Sequence, residues 1–189
     1  MQYFTPELHL AANSLDDDVA DAAELAWEKA RAGYREHLAK LKPDLPARVF
    51  QLAFESDYHD YEVIGYKSHI LSDPLTAMQP RYNREWFAYP GTVFVLTLRM
   101  GEATEAVFFF LWGEVRVSPP PHNWPQTEEK FFLYDELSSV IDRDLIPREY
   151  RLNILLSDGS ELVIPFMDTF RVPIPTGAFS VALNGKGRH

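Results

Sequence analysis

The sequence predicts an α+β fold in which a long N-terminal helix and a short helix pack on a mainly antiparallel, meandering β-sheet of about five to seven strands. Two observations predict it. One is an apolar stripe with helical spacing between Ala23 and Leu41, and the other is a hairpin signal at Gly159 between two apolar segments.

The chain contains no internal repeat and no linker long enough to separate domains. We therefore expect a single domain over residues 1–189. Its predicted parts are a helical cap at 13–56, a β-rich body at 58–172 and a mobile tail at 177–189.

The long helix is predicted to begin at Ser14, whose hydroxyl can accept hydrogen bonds from free backbone amides. The acids at 16–18 follow at the positive end of the helix dipole, and Pro43 ends the helix. A second, shorter helix is expected to begin at Pro46. The side chains that share the apolar face of the long helix are Ala23, Trp27, Ala30, Tyr34, Leu38 and Leu41.

The β-rich body begins where a turn at Tyr58 leads into a strand through Ile64. Residues 72–90 are punctuated by prolines and predict an irregular connection, and the proline-rich segment 119–125 predicts a stiff surface crossing. Further strands are predicted at 92–100, with Phe94, Leu96, Leu98 and Met100 on one face, at 106–117, as a central strand apolar on both faces, and at 131–140.

The last hairpin allows two registers, which differ in the length of its loop. A two-residue loop at Asp158 and Gly159 would scatter apolar side chains over both faces. A three-residue loop from Ser157 to Gly159 gathers them on one face and requires a left-handed conformation at Gly159, so we predict this loop. The side chains that it brings to one face are Leu152, Ile154, Leu156, Leu162, Ile164 and Phe166.

The composition is that of an ordinary globular protein, with 46% hydrophobic and 24% charged residues. Because the chain has no cysteine, disulfides, thiolate metal sites, iron–sulfur clusters and thiol nucleophiles are excluded. The chain opens with no signal-peptide pattern, and no apolar run reaches the roughly 20 residues of a membrane helix. We expect a cytoplasmic protein that does not associate with membranes.

The net charge of the chain is −10, and residues 1–60 hold 12 acids against 6 bases. An acidic chain without a Lys/Arg cluster repels phosphate backbones, so we expect no binding to nucleic acid. The acidic N-terminal part can bind a basic protein partner, or it can serve only as a solvated surface.

The sequence motifs of several enzyme classes are missing. The chain contains no phosphate-binding loop, dinucleotide fingerprint, serine nucleophile elbow or H-E-x-x-H metal helix. No two of its 6 histidines stand three or four residues apart, as a ligand pair on a helix would. We expect no cofactor.

One cluster of potential ligands remains, formed by Asp57, His59 and Asp60, with His69 further along the chain. An imidazole and a carboxylate can bind a metal, or can act as a base with its orienting acid. The acids can equally accept backbone N–H groups and hold the turn. Adjacent residues on a strand point to opposite faces, so His59 and Asp60 can bind one ion only if the strand begins after them.

Two further acids, Asp135 and Glu136, lie in an aromatic strand. Alternation puts Asp135 on the face of Phe131 and Leu133, and a carboxylate on a core face needs a basic partner. The candidate partners are Arg99, Arg116 and Arg151. The candidate ligand-binding residues of the chain are therefore His59, Asp60, His69 and Asp135, and whether they hold a metal stays open.

Three segments carry a resemblance to a known family: Tyr3–Thr5 before the charged helix, the Tyr58–Tyr61 turn, and Phe132–Glu136 followed by the 157–162 hairpin. Over residues 1–172 the chain resembles an uncharacterised bacterial family, one of the domains of unknown function. The resemblance implies a bacterial cytoplasmic protein and assigns no activity. His-Asp turns before a strand also occur in small immunity-type proteins.

These observations lead to three hypotheses on function. The first is a non-enzymatic binding or protein-interaction module, immunity-like or regulatory, because no catalytic set is assembled and the chain is acidic. The alternative is a metal-dependent hydrolase that uses the His59–Asp60 turn with His69 or Asp135, which requires these side chains to converge within metal-ligand distance. The third is a pocket for a small apolar ligand between the long helix and the sheet.

Overall fold

The computed structural model describes residues 1–70, 92–122, 124, 127, 130–140 and 149–175. The predicted connection at 72–90 and the predicted mobile tail at 177–189 lie outside the described residues. Within them the chain folds as three α-helices and a seven-stranded antiparallel sheet, which confirms the α+β class. That residues 1–189 form a single domain stays a prediction.

The helices all precede the sheet. They are α1 at Pro6–Ala12, α2 at Asp17–Leu41 and α3 at Ala47–Phe50; a 3₁₀ turn at Lys42–Asp44 follows α2 and a π turn at Gln51–Glu55 continues α3. The predicted stop at Pro43 is confirmed, since α2 gives way to the 3₁₀ turn that contains this proline. Among the helices described, none has the length and apolar character needed to cross a membrane.

The long helix begins two residues later than predicted. Asp16, not Ser14, is its N-cap: the Asp16 carboxylate accepts hydrogen bonds from the backbone N–H groups of Asp18 and Val19 at 3.1 and 3.3 Å. The Ser14 hydroxyl accepts instead from the Asp16 amide. A carboxylate at this position satisfies two free amides and also meets the positive end of the helix dipole, whereas a serine hydroxyl carries no charge.

The apolar stripe of α2 is its docked face, as predicted. Ala23 and Leu38 are buried, and Trp27, Ala30, Tyr34 and Leu41 are partly buried. Short helix α1, which the sequence analysis did not predict, packs beside the first half of α2. Its N-cap is Thr5, whose hydroxyl accepts from the Leu8 amide at 3.2 Å.

The strands form one sheet in the order β1-β2-β3-β7-β6-β5, with β4 paired to β7. Every neighbouring pair is antiparallel. The bounds are β1 Glu62–Ile70, β2 Thr92–Met100, β3 Ala103–Leu111, β4 Arg116–Ser118, β5 Phe132–Val140, β6 Glu149–Leu156 and β7 Glu161–Ile174.

The strand predicted at 92–100 is present, and the one predicted at 106–117 is wrong in extent. The predicted strand at 106–117 is two strands, because the chain turns after Leu111 and the indole of Trp112 donates to the Tyr150 carbonyl at 3.1 Å. In β2, three of the side chains predicted to share one face, Phe94, Leu96 and Leu98, are buried, and the fourth, Met100, is 54% exposed because it lies at the end of the sheet beside the β2–β3 turn.

The sheet curls until its two edge strands meet at one end. The amide of Val63 donates to the Lys130 carbonyl at 2.6 Å, and the amide of Phe132 donates to the Tyr61 carbonyl at 2.8 Å. These bonds join the start of β1 to the start of β5. The concave side is filled by a core whose fully buried side chains include Val49, Leu98, Val107, Ile154, Leu162, Ile164 and Phe166.

The β6–β7 hairpin has the predicted three-residue loop. Leu152 pairs with Ile164 and Ile154 with Leu162, and the amide of Leu156 donates to the Ser160 carbonyl at 3.0 Å. The side chains that were predicted to share one face are all buried. The φ angle of Gly159 is +78°, which confirms its left-handed conformation.

The proline-rich segment 119–125 does more than cross the surface. It carries Trp124, which is buried and packs on Gly159 at the tip of the hairpin. The indole N–H of Trp124 donates to the Ser157 carbonyl at 2.8 Å. The segment is therefore anchored to the hairpin by one aromatic side chain.

Candidate binding cleft beside strand β5

Strand β5 contains a bulge that decides where its polar side chains point. The register shifts between Phe132 and Tyr134, so that Tyr134 lies opposite Leu155 and Asp135 lies opposite Ile154. Directly opposed residues of an antiparallel pair share a face. Asp135 therefore faces the core with Ile154, and Tyr134 faces the helices.

Glu136 is the most deeply buried carboxylate among the described residues, with 4% of its surface exposed. Its oxygens accept hydrogen bonds from three consecutive backbone amides, those of Gln2, Tyr3 and Phe4, each at 2.6 Å. Three charge-assisted bonds offset much of the cost of burying the charge. Glu136 thus fixes the first residues of the chain against β5.

The backbone of Leu137 is covered by side chains of α2. Its N–H donates to the Tyr34 hydroxyl at 2.7 Å, and its carbonyl accepts from the His37 Nε2–H at 3.0 Å. Since β5 is an edge strand, these two bonds satisfy groups that would otherwise be free to pair with another chain. Burial, chiefly, raises the pKa of Tyr34 above its ordinary value, so its hydroxyl stays protonated.

A cleft of about 300 Å³ opens between α1, α2 and β5. Its aromatic wall consists of His9, Trp27 and Tyr134. The rings of Trp27 and Tyr134 meet at 62° with their centroids 4.5 Å apart, and so form a corner. The ring of His9 lies 5.9 Å from that of Tyr134, and it also stacks on Trp124 at 5.1 Å.

The part of the cleft that α2 forms is also acidic, next to Trp27. Asp21 and Glu24 line it from adjacent turns of α2. Both side chains are exposed, and neither forms an ion pair with any residue that the structure describes. The cleft therefore combines ring faces with uncompensated negative charge.

Burial shifts the proton equilibria of the aromatic wall. It lowers the pKa of His9 below the usual value for an imidazole, so this ring is neutral near pH 7. Burial also raises the pKa of the Tyr134 hydroxyl, and the carboxylate of Asp60 raises it further. The wall thus presents no positive charge of its own at neutral pH.

The predicted His59–Asp60 pair lies next to this cleft. The amide of Tyr61 donates to the Tyr58 carbonyl at 3.0 Å, so residues 58–61 form a β-turn. Asp60 adopts φ +66°, and the strand begins only at Glu62, which lets His59 Nδ1 approach Asp60 Oδ2 to 3.0 Å. Because the strand begins after both residues, the side chains of His59 and Asp60 can approach each other.

The backbone and ring contacts of the turn hold it against strand β5. The amide of Asp60 donates to the Phe132 carbonyl at 2.9 Å, which ties the turn to β5. The Asp57 carboxylate accepts from the His59 amide at 3.3 Å. The His59 ring lies 5.7 Å from the ring of Tyr134, so the turn supports the aromatic wall of the cleft from outside.

The structure does not bring the four predicted site residues together. His69 is exposed and pairs with Val93 near the far end of β1, roughly 20 Å from the turn at 3.3 Å per strand residue. Asp135 faces the core on the other side of the sheet. Within the described ranges no three His, Asp or Glu side chains are close enough to hold a metal ion. Ligand binding by these residues stays a prediction.

Asp135 lies on a different face from the one that alternation predicts. The bulge at Leu133 puts it on the face of Phe132 instead of that of Phe131 and Leu133, and no basic side chain in the described part of the chain pairs with it. Arg99, one of the candidate partners, pairs with Glu62 instead.

The surroundings of Asp135, which has no basic partner among the described residues, favour its protonated form. Burial, chiefly, together with the nearby carboxylates of Glu136 and Asp57, raises its pKa to about 7. A proton, in place of a basic partner, removes part of the cost of its burial.

Sequence reasoning missed the residues that build the cleft and the anchor. Glu136 was noted as an acid of the aromatic strand but given no role, and Tyr134 was not singled out, because regular alternation does not show the bulge that turns both toward the helices. His9 lies on the unpredicted helix α1, for which Thr5-Pro6 was an available signal. Trp27 was assigned correctly to the docked stripe, although it also lines the cleft.

The chain matches no protein-family model, and no curated protein matches it in sequence. The resemblance to an uncharacterised bacterial family therefore remains a prediction.

Proposed function

We propose that the protein is a non-enzymatic protein-interaction module of the bacterial cytoplasm, immunity-like or regulatory, and that the hairpin of α1 and α2 is its binding surface. The observation that carries the proposal is the charge of this hairpin. Residues 1–28 hold 7 acids and neither lysine nor arginine. The first basic side chain is Lys29, beyond the middle of the hairpin.

The acids of α2 face solvent together. We call this surface the acidic face and define it as Asp17, Asp18, Asp21, Glu24, Leu25 and Glu28, all of which are exposed. A concentration of one charge sign over several turns creates a field that attracts an oppositely charged partner and accelerates its association.

Apolar side chains accompany the charge. Leu25 is 76% exposed on the acidic face, and Leu15 is fully exposed in the turn between α1 and α2. A shallow, alanine-rich depression also runs between the two helices; it is lined by Leu8, Ala11, Val19, Ala22, Ala23 and Ala26 with Asp16 and Asp18 at its rim. Exposed leucines in an acidic surround suit a partner that presents basic and apolar side chains together.

The metal-dependent hydrolase is the alternative, and the described residues offer it less support. Its ligands would have to come from the His59–Asp60 turn, and neither His69 nor Asp135 joins that turn. The contacts of the turn with β5 account for the positions of both residues without a metal. We therefore favour the interaction module.

The proposal is tested by affinity capture from a bacterial lysate with matched variants. Asp18→Lys/Glu28→Lys reverses two charges on the acidic face. The control, Glu102→Lys/Glu114→Lys, makes the same net change at exposed positions near the β2–β3 and β3–β4 connections. Reversing Asp18 in the first turn of α2 costs less than about 1 kcal/mol. Reversing Glu28 breaks only an exposed ion pair with Arg31, which contributes about 1 kcal/mol or less, so both variants fold.

We expect a protein that is captured by the wild type and the control, is lost with Asp18→Lys/Glu28→Lys, and is released by salt because exposed charges are screened within about 8 Å at physiological ionic strength. The protein is then identified by mass spectrometry and its binding is measured with purified components. Capture that is equal for both variants, or none above bait-free beads, would contradict the proposal.

A further inference from the structure

We propose that the cleft between α1, α2 and β5 binds the guanidinium group of an arginine side chain on the protein partner. This inference rests on the proposed function and gives it a specific anchor point. The acidic face attracts a basic partner in general, whereas in the cleft ring faces and carboxylates converge on a cavity.

The aromatic wall suits a cation. A guanidinium within about 6 Å of a ring centroid is attracted to the ring face, by about 0.5–1 kcal/mol at exposed sites and about 2 kcal/mol where water is excluded. Trp27 and Tyr134 form a corner, with centroids 4.5 Å apart at 62°, so a group seated there meets two rings. His9 is neutral near pH 7 because burial lowers its pKa, and it does not repel the cation.

The acidic wall suits the same group. Asp21 and Glu24 offer four carboxylate oxygens on one side of α2, and neither acid is neutralised by another described residue. Among the residues that the structure describes, no lysine or arginine lines the cleft. Arg31, on the next turn of α2 after Trp27, pairs with Glu28 at 3.2 Å, and its charge also lowers the pKa of the Tyr134 hydroxyl at the edge of the cleft. Positive charge is missing from the cleft, and a ligand that brings it is favoured.

The size of the cleft limits its occupant. About 300 Å³ is the lower end of the range for ligand pockets and is ample for one side-chain head group, while the carboxylates of Asp21 and Glu24 repel the phosphates of a nucleotide. Ala12 and Ala20 line it as well, and their small side chains leave the space between the two walls open.

Arginine fits both walls better than other organic cations. Its guanidinium is flat and stacks on rings, and its N–H groups pair with two carboxylate oxygens at once. The ammonium of lysine is compact and strongly hydrated, and a quaternary ammonium has no N–H to donate to Asp21 or Glu24.

The test is an NMR titration of the whole protein with blocked arginine, N-acetyl-arginine amide, followed at the indole N–H of Trp27. A single side chain binds weakly, so we expect a Kd of about 1 mM, and binding at least about fivefold tighter than that of blocked lysine or tetramethylammonium. Asp21→Asn/Glu24→Gln should weaken arginine binding at least about fivefold, since both carboxylates are lost.

The matched control is Asp17→Asn/Asp18→Asn, which removes the same charge from the acidic face outside the cleft, leaves the Glu28–Arg31 ion pair in place and should change the Kd less than about twofold. Equal binding of tetramethylammonium or blocked lysine would overturn the assignment to guanidinium. So would equal losses in the two variants, or no shift of the Trp27 signal at about 50 mM arginine. Any of these negative results would overturn only the arginine site. The proposed function is tested separately by affinity capture, whose variants keep Asp21 and Glu24.

Discussion

Replacing Glu136 with glutamine removes the charge that holds the first residues of the chain against β5. Glu136 is 4% exposed, and its oxygens accept the amides of Gln2, Tyr3 and Phe4 at 2.6 Å. Glutamine has almost the same shape, so the substitution tests charge and hydrogen bonding without leaving a cavity.

The magnitude follows from what each oxygen does. Oε1 accepts from Tyr3 and Phe4, and a glutamine carbonyl can keep these two bonds in a weaker, uncharged form. Oε2 accepts from Gln2, and an NH₂ group there faces another donor, so a bond to a charged acceptor worth about 1.5–3 kcal/mol is lost. The neutral amide costs less to bury, which offsets part of the loss. We expect Glu136→Gln to lower the free energy of unfolding by about 2–4 kcal/mol.

Equilibrium unfolding in urea measures this change, and amide hydrogen exchange at residues 2–4 shows where it arises. Glu114→Gln is the control, because Glu114 is exposed and its substitution should cost less than about 0.5 kcal/mol. If Glu136→Gln were as stable as the control and the amides of Gln2, Tyr3 and Phe4 stayed protected, the anchoring role derived from these three bonds would be wrong.

Two further predictions concern the hairpin tip and the buried acid. Gly159→Ala should lower the free energy of unfolding by about 2–4 kcal/mol in thermal denaturation, because the new Cβ would lie 2.4 Å from the Trp124 ring and φ is +78°. The control Gly101→Ala, at φ +59° with open space around it, should cost only about 1 kcal/mol. Similar losses in the two variants would contradict the packing role of Trp124. For Asp135 the folded pKa, about 7, lies above the unfolded value, so its ionisation destabilises the fold as pH rises from about 4 to about 7. Asp135→Asn does not titrate, so between these pH values its free energy of unfolding should rise by about 1–3 kcal/mol relative to that of the wild type, as measured by urea unfolding at each pH. A difference between the two proteins that stays constant with pH would refute a raised pKa.

The correctly predicted parts of the fold are those in which the apolar side chains of a local segment can be buried together in only one arrangement. The stripe of α2 can be buried only by docking the face that contains Trp27 and Tyr34, and the structure docks that face. Likewise only the three-residue loop puts Leu152 and Ile164 on a common buried face, and this burial fixes the conformation of Gly159. In both cases the sequence pattern and the core favour the same arrangement.

The candidate site could not be predicted in the same way, because its members come from segments that only the tertiary fold brings together. His9 is on α1, Trp27 on α2 and Tyr134 on β5, and no spacing in the sequence relates them. The His59–Asp60 turn was recognised as unusual from its residue types. Its position beside Tyr134 follows from the backbone bonds that join β1 to β5, which are contacts between distant segments.

The bulge in β5 explains why the cleft, the anchor and the buried acid lie side by side. With regular alternation Tyr134 and Glu136 would share the face of Phe132 and enter the core, and Asp135 would face the helices. The core would then hold an anionic Glu136 without the three amides that now bind it, and the cleft would lose its ring from β5. The extra residue at Leu133 turns Tyr134 and Glu136 toward the helices and leaves Asp135 on the core face, where its raised pKa favours the uncharged form. The single extra residue, Leu133, therefore determines both which side chains of β5 enter the core and whether the cleft forms.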